Sequence, residues 1–126
     1  MTKKNELRLS LKRKWFDMTK PGIKPEDYRE LTPYWYTILC LYRGKKRSKI
    51  FWEDFIRGSK FYSQNELSFK QFDINTLTLG YPSSEDKERI HKREHKGIEI
   101  RTGNPEWGAE PGRIYFVIMH GDMINH

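Results

Sequence analysis

The stretch Leu7–Thr32, LRLSLKRKWFDMTKPGIKPEDYRELT, decides the fold. Leu7, Leu9 and Leu11 alternate with Arg8, Ser10 and Lys12, the period of a strand with one face buried. Trp15, Phe16 and Met18 then follow Leu11 at helical spacing, with Lys12, Arg13, Lys14 and Asp17 between them, which predicts a helix of two or three turns. Pro21-Gly22 ends that helix. Pro25 steers Lys24 towards extended geometry, and Asp27 to Leu31 reads as a second strand. Lys24, Asp27 and Arg29 fall together just after the turn. Alternate residues of an extended segment share a face, so Asp27 and Arg29 project together and Lys24 joins them from the turn. Such a cluster either lines a small pocket or closes the turn as a solvated salt bridge.

Outward from this stretch, Met1 to Asn5 reads as a short, frayed basic tail. Thr32-Pro33 opens another helix, with Thr32 as N-cap and Pro33 in the first turn; Tyr34, Trp35, Ile38, Leu39, Leu41 and Tyr42 supply its apolar face and Gly44 ends it. Composition changes over about 43–71. The basic run Arg43, Lys45, Lys46, Arg47 and Lys49 leads into Phe51, Trp52, Phe55 and Ile56, spaced as a short amphipathic helix that Gly58 and Ser59 break. This stretch is expected to be a basic-aromatic insertion on a single domain covering 1–126. Phe72 to Tyr81 is a strand by its β-branched and aromatic content. Ser84 to Lys87 reads as one helical turn, Arg89 to Arg101 as a strand, Thr102 to Gly112 as a Gly- and Pro-rich loop, and Arg113 to His120 as a buried strand, with a short edge segment after it. No βαβ unit opens on a Gly-rich turn, so a dinucleotide-binding fold is excluded. The expected class is α+β: a small, partly open β-barrel of about five or six strands, with two or three helices in the connections.

Composition narrows the function. The 126 residues carry 24 Lys and Arg against 17 Asp and Glu, a net charge of +7, which favours polyanionic partners. Phe, Trp and Tyr make up 14% of the chain, supplying either core mass or stacking surfaces. Cys40 is the single cysteine, so neither an intrachain disulfide nor a cysteine zinc site is available. Its neighbours Ile38, Leu39 and Leu41 predict a buried, inert thiol. No apolar run approaches the ~20 residues that span a membrane, and MTKKNE leads directly into a strand, so a reducing cytoplasm is the expected setting.

Three blocks, LSLKRKWFDMTKPGIKPEDYRELTPYW, FDINTLTLGY and GIEIRTGNPEWGAEPGRIYFVI, resemble in order the ASCH domain family, of PUA-like fold, and within it the small phage-associated proteins. The resemblance rests on a Gly-x-Lys-x-x-acid-x-Arg turn, here Gly22, Lys24, Asp27 and Arg29, and on Trp107-Gly108-Ala109-Glu110-Pro111-Gly112 before the last strand. It implies a barrel with the lysine turn at the mouth of a cleft that binds RNA or a nucleotide. Some relatives are enzymes, among them an amidohydrolase of acylated cytidine that uses Lys, Thr and Glu, and a ribonuclease. Asp27 stands where that amidohydrolase has its threonine, and Glu94, Glu99, Glu106 and Glu110 are all open for its glutamate. The resemblance therefore implies binding first. The alternatives are a small hydrolase acting on a modified nucleoside or RNA through Lys24 and Asp27, and a phage-type module that contacts a host protein through the 43–71 insertion.

The chemistry of the candidate residues follows. Lys24 meets phosphate as a point charge and Arg29 grips it bidentately, or holds Asp27. As a base or nucleophile Lys24 would need desolvation, which the adjacent Asp27 opposes by favouring the ammonium form. Trp107 offers a ring to a base, or pins the loop in the core, and Glu106 and Glu110 flank it. Lys45, Lys46, Arg47 and Lys49 form a phosphate-contacting arm or a solvated loop. His91 and His95 have metal spacing only on a helix, and they fall on a strand; with no third ligand, no metal and no cofactor is expected.

Overall fold

The computed structural model describes residues 4–58 and 60–124; Met1–Lys3, Ser59, Asn125 and His126 lie outside it. The fold is α+β and β-barrel-like. Among the described residues the chain forms seven strands and three α-helices: β1 Glu6–Leu11, α1 Arg13–Thr19, β2 Glu26–Arg29, α2 Pro33–Leu39, β3 Cys40–Tyr42, α3 Lys49–Ile56, β4 Leu67–Phe69, β5 Ile74–Leu79, β6 Ile90–Thr102 and β7 Ile114–Met123. They fall into two compact units, one of residues 1–28 with 71–126, the other of residues 29–70.

The first unit is built on a curled sheet of five strands, ordered β1-β5-β6-β7-β2. β1 runs parallel to β5, with Glu6 opposite Ile74 and Leu11 opposite Leu79. Parallel neighbours need a long crossover, and everything between Lys12 and Asp73 serves as that connection. β5, β6 and β7 pair antiparallel. The register of β6 against β7 slips between Arg93 and His95 and again between His95 and Gly97. Extra residues of this kind bend a strand and raise its twist, and Gly97, at φ +123°, accommodates the second slip. The core holds Leu7, Leu9 and Leu11 from β1, Phe16 from α1, Leu77 from β5 and Tyr115 to Ile118 from β7. β1 alternates as its sequence requires, whereas four consecutive buried residues in β7 mark a strand covered on both faces.

The second unit packs α2 on α3 through aromatic rings. Tyr36 stacks on Trp52 at 5.1 Å, and Tyr42, Phe51, Phe55 and Tyr62 close around them. The unit reaches back to Arg29 because α2 supplies one side of this core, so the 43–70 residues are only part of it. Trp52 is fully buried, and the unit is an ordered miniature core.

Local expectations differ at several places. α2 is capped by Thr32 as the sequence predicts, its hydroxyl accepting from the Trp35 N–H, but it ends at Leu39. Cys40 is extended, and β3 pairs antiparallel with β4, a short strand without a sequence signal of its own. Gly44 turns the chain after β3 instead, with Tyr42 bonded to Lys45. Ser84–Lys87 forms turns closed by Asp86 N–H to the Ser83 carbonyl, without a helical turn. Asn5 is pinned: its N–H donates to the Asp73 carboxylate, and its carbonyl accepts from Asp73 and Ile74. β7 continues to Met123, absorbing the start of the expected edge segment.

Candidate functional site

Lys24 is the most unusual side chain of the first unit. The backbone turns at Gly22, φ +85°, and the Lys24 N–H returns to the Met18 carbonyl, so the lysine points inward. Its side chain is 2% exposed. Nζ donates to the Glu26 carbonyl at 2.8 Å and to the Asp27 carboxylate at 3.1 Å. The rings of Trp15 and Tyr28 flank it, at 5.9 and 5.5 Å from Nζ. The turn of the sequence motif is thus a buried ion pair within an aromatic frame, neither a solvated salt bridge nor an open cationic finger.

The frame reaches the second block of the motif. A Cβ at Gly108 would sit 2.9 Å from the Trp15 ring, and one at Gly103 2.5 Å from the Tyr28 ring. Only glycine lets the 103–109 backbone come this close. The Asn104 N–H donates to the Tyr28 hydroxyl, which donates to Glu26 Oε1 at 2.6 Å. Arg101 grips the same carboxylate, Nη2 to Oε2 at 2.7 Å. Burial opposes the charged form of Glu26, but the hydrogen bonds from Arg101 and Tyr28 outweigh it and hold its pKa below the ordinary value. Burial, with the Glu26 carboxylate beside it, pushes the Tyr28 phenol up. The Lys24 turn and the Trp107 loop, distant in sequence, therefore form one structure. Trp107 itself is half-buried, on a short 3-10 turn capped by the Asn104 side chain.

The remaining sequence candidates are placed as follows. Arg29 lies at the start of the second unit, its guanidinium 4.9 Å over the Trp35 ring. Glu110 is exposed, paired with Arg113 at 3.2 Å, while its N–H donates to the Tyr115 hydroxyl. Lys45, Lys46 and Lys49 are exposed. Arg47 has a structural role: it donates to the Tyr42 carbonyl and stacks over Phe51. Glu94, Glu99 and Glu106 are at least partly exposed, and none is bonded to Lys24 or Asp27 by a described contact. A surface depression of about 670 Å³ is lined by Lys4, Asn5, Glu6 and Ile74, none of them a motif residue.

The sequence gives no warning of a second polar group behind the turn. His120 and His91 are buried. Asn75 links two histidines, its Nδ2 2.7 Å from His120 Nδ1 and its Oδ1 2.7 Å from His95 Nδ1. Asn75 Nδ2 also donates to the Met119 carbonyl, which fixes that end as the amine. His120 Nδ1 therefore accepts and His95 Nδ1 donates. His120 Nε2 and both nitrogens of His91 have no hydrogen-bond partner among the described residues. Burial pushes His120 down to about 4; Lys24, Arg93 and His91 add to this and Asp27 opposes it. His91, edge-on to Phe16, is likewise held at about 4 by burial, with Arg93 and Lys20 nearby. Arg93 ties this face to the turn, donating to the Gly121 and Lys20 carbonyls. Of the two histidines in the His-x-x-x-His spacing, His95 enters the seam through Asn75, whereas His91 packs edge-on against Phe16.

Cys40 is buried and its thiol is pushed up to about 12 by burial, an inert packing group. No group of three or more His, Cys, Asp or Glu among the described residues is placed to hold a metal ion. No described helix is long and apolar enough to cross a membrane. Compared with known proteins, the chain matches no family model, no curated protein and no solved structure.

Proposed function

We propose that the chain is an RNA- or nucleotide-binding module of the ASCH, PUA-like kind. Its binding surface is the Trp107 loop, held in place by the Lys24–Asp27 pair. The observation that carries this reading is the meeting of the two motif blocks, with Gly103 against Tyr28 and Gly108 against Trp15. Lys24 and Asp27 then act from below. Their charges satisfy one another, so Lys24 supports the loop and is not itself the phosphate contact. A base stacks on the half-buried Trp107, and phosphates meet exposed cations of a chain with net charge +7. The second unit, taken by itself, exposes Lys45, Lys46 and Lys49 as cations open to phosphate.

The hydrolase alternative is less well supported. A lysine that starts an acyl transfer needs an available Nζ, and here Nζ donates to two acceptors in a fully packed site. Fluorescence anisotropy with labelled single-stranded RNA tests the binding reading. Affinity is expected to fall steeply with salt, and Trp107→Ala to weaken it by about tenfold. Wild-type protein that fails to bind, or binding indifferent to salt, contradicts the proposal.

A further inference from the structure

Tyr81 is 96% exposed, the most exposed large hydrophobic side chain among the described residues. It follows Gly80, which turns the chain at φ +64° and whose carbonyl accepts from two hydroxyls, Ser10 at 3.1 Å and Thr78 at 2.8 Å. The Gly80 N–H donates to the Leu11 carbonyl at 3.2 Å. Three hydrogen bonds therefore fix the residue that precedes the ring, and an aromatic side chain stands in solvent on a rigid support.

The same Leu11 leads into Lys12, Arg13 and Lys14, all exposed. Trp15 follows and packs on Gly108, beside Trp107. The Tyr81 turn and the Trp107 loop are thus tied to positions four residues apart on one segment, which passes from β1 through the extended Lys12 into α1. Along the chain, the Lys12–Lys14 run lies between Leu11, which anchors the Tyr81 turn, and Trp15, with Lys14 Nζ 4.7 Å from the centre of the Trp15 ring. Arg13 pairs with Asp17 at 3.8 Å and Arg89 with Asp86 at 3.5 Å. Glu85 and Glu88 are exposed on the turns beyond Tyr81, together with Lys87.

We propose that Tyr81 and the Lys12–Lys14 run form a second stacking and phosphate site for a single-stranded nucleic acid, extending the footprint that starts at Trp107. The inference rests on the binding reading above. A protein anchor would sit within an apolar patch, whereas Tyr81 is surrounded in sequence by Gly80, Pro82, Ser83 and Ser84. A ring on a polar turn beside lysines fits a base with a phosphate at each side.

The test is anisotropy with a labelled single-stranded RNA of about 12 nucleotides, within the range one small barrel covers. Tyr81→Ala is expected to weaken binding about tenfold, Tyr81→Phe to stay within about twofold of wild type, and a Lys12→Gln/Lys14→Gln double variant to lower the salt slope by about one to two. If wild-type protein binds and Tyr81→Ala binds equally well, the second site is refuted while the Trp107 reading stands. If no variant and no wild-type protein binds, both fail. Displacement of the RNA by polyglutamate at equal charge, from wild type and Tyr81→Ala alike, identifies an unselective polyanion surface and also refutes the site.

Discussion

Replacing Lys24 by Met keeps most of the side-chain volume and removes the charge. Asp27 Oδ1 loses its donor at 3.1 Å and the Glu26 carbonyl loses one at 2.8 Å. Asp27 is 5% exposed, so water does not readily replace the missing ammonium. Removing one partner of a buried pair costs about 3–5 kcal/mol, because the remaining carboxylate loses the ammonium that offsets its desolvation. Against a total stability of about 6–19 kcal/mol for a chain of this length, that is a large fraction, equivalent to a fall in Tm of roughly 10–20 °C. Urea unfolding followed by tryptophan fluorescence measures it. Asp27→Leu alone strands Lys24 in the same way, and the Lys24→Met/Asp27→Leu double variant removes both charges. The double variant is therefore expected to lose clearly less than the two single losses added together, a coupling of at least about 1.5 kcal/mol. A Lys24→Met cost under about 1 kcal/mol, or strict additivity, would refute the assignment of this pair as the buried support of the loop.

The buried histidines predict an acid limb to stability. His91 and His120 have folded pKa values of about 4 against 6.5, so the unfolded chain takes up their protons first. Their contribution is complete above pH 6.5 and is lost as pH falls towards 4, by up to about 3 kcal/mol for each; His91→Phe should flatten urea midpoints measured between pH 7 and 4.5. Gly108→Ala places a Cβ 2.9 Å from Trp15 at φ +104°, so it should lower stability by about 1–3 kcal/mol and weaken RNA binding, whereas Gly112→Ala, at φ +77° with no atom within 4 Å, should cost about 1 kcal/mol of backbone strain and weaken binding less. Trp52→Ala empties the centre of the second unit and should cost about 3–5 kcal/mol in chemical unfolding.

The strand at Leu7–Leu11, the helix after it, the Thr32 cap and the strand at β7 were legible because each signal is local: a period, a cap or an apolar run. β3 and β4 were not, since three-residue strands carry no period and exist through pairing with each other. The extent of the second unit escaped for a similar reason. It depends on Tyr36 meeting Trp52, residues that no local pattern relates. Of the candidate site, the sequence identified Lys24, Asp27 and the Trp107 loop, and the structure brings the turn and the loop together through Trp15 and Tyr28. That Lys24 faces inward was not legible, because an ion pair three residues apart looks the same in solvent and in a core. The Asn75–His95–His120 seam is invisible in sequence: its members come from β5, β6 and β7, and the bulges of β6 set its register.

The most direct test of the account is an NMR titration of isotopically labelled protein with single-stranded RNA, following the indole N–H signals and the loop amides. The account predicts that the Trp107 indole and the amides from Gly103 to Gly112 shift together and saturably, with smaller effects at Lys24, which is 2% exposed. Shifts confined to the 29–70 unit, or no shifts at RNA concentrations that saturate other single-strand binders, would contradict it.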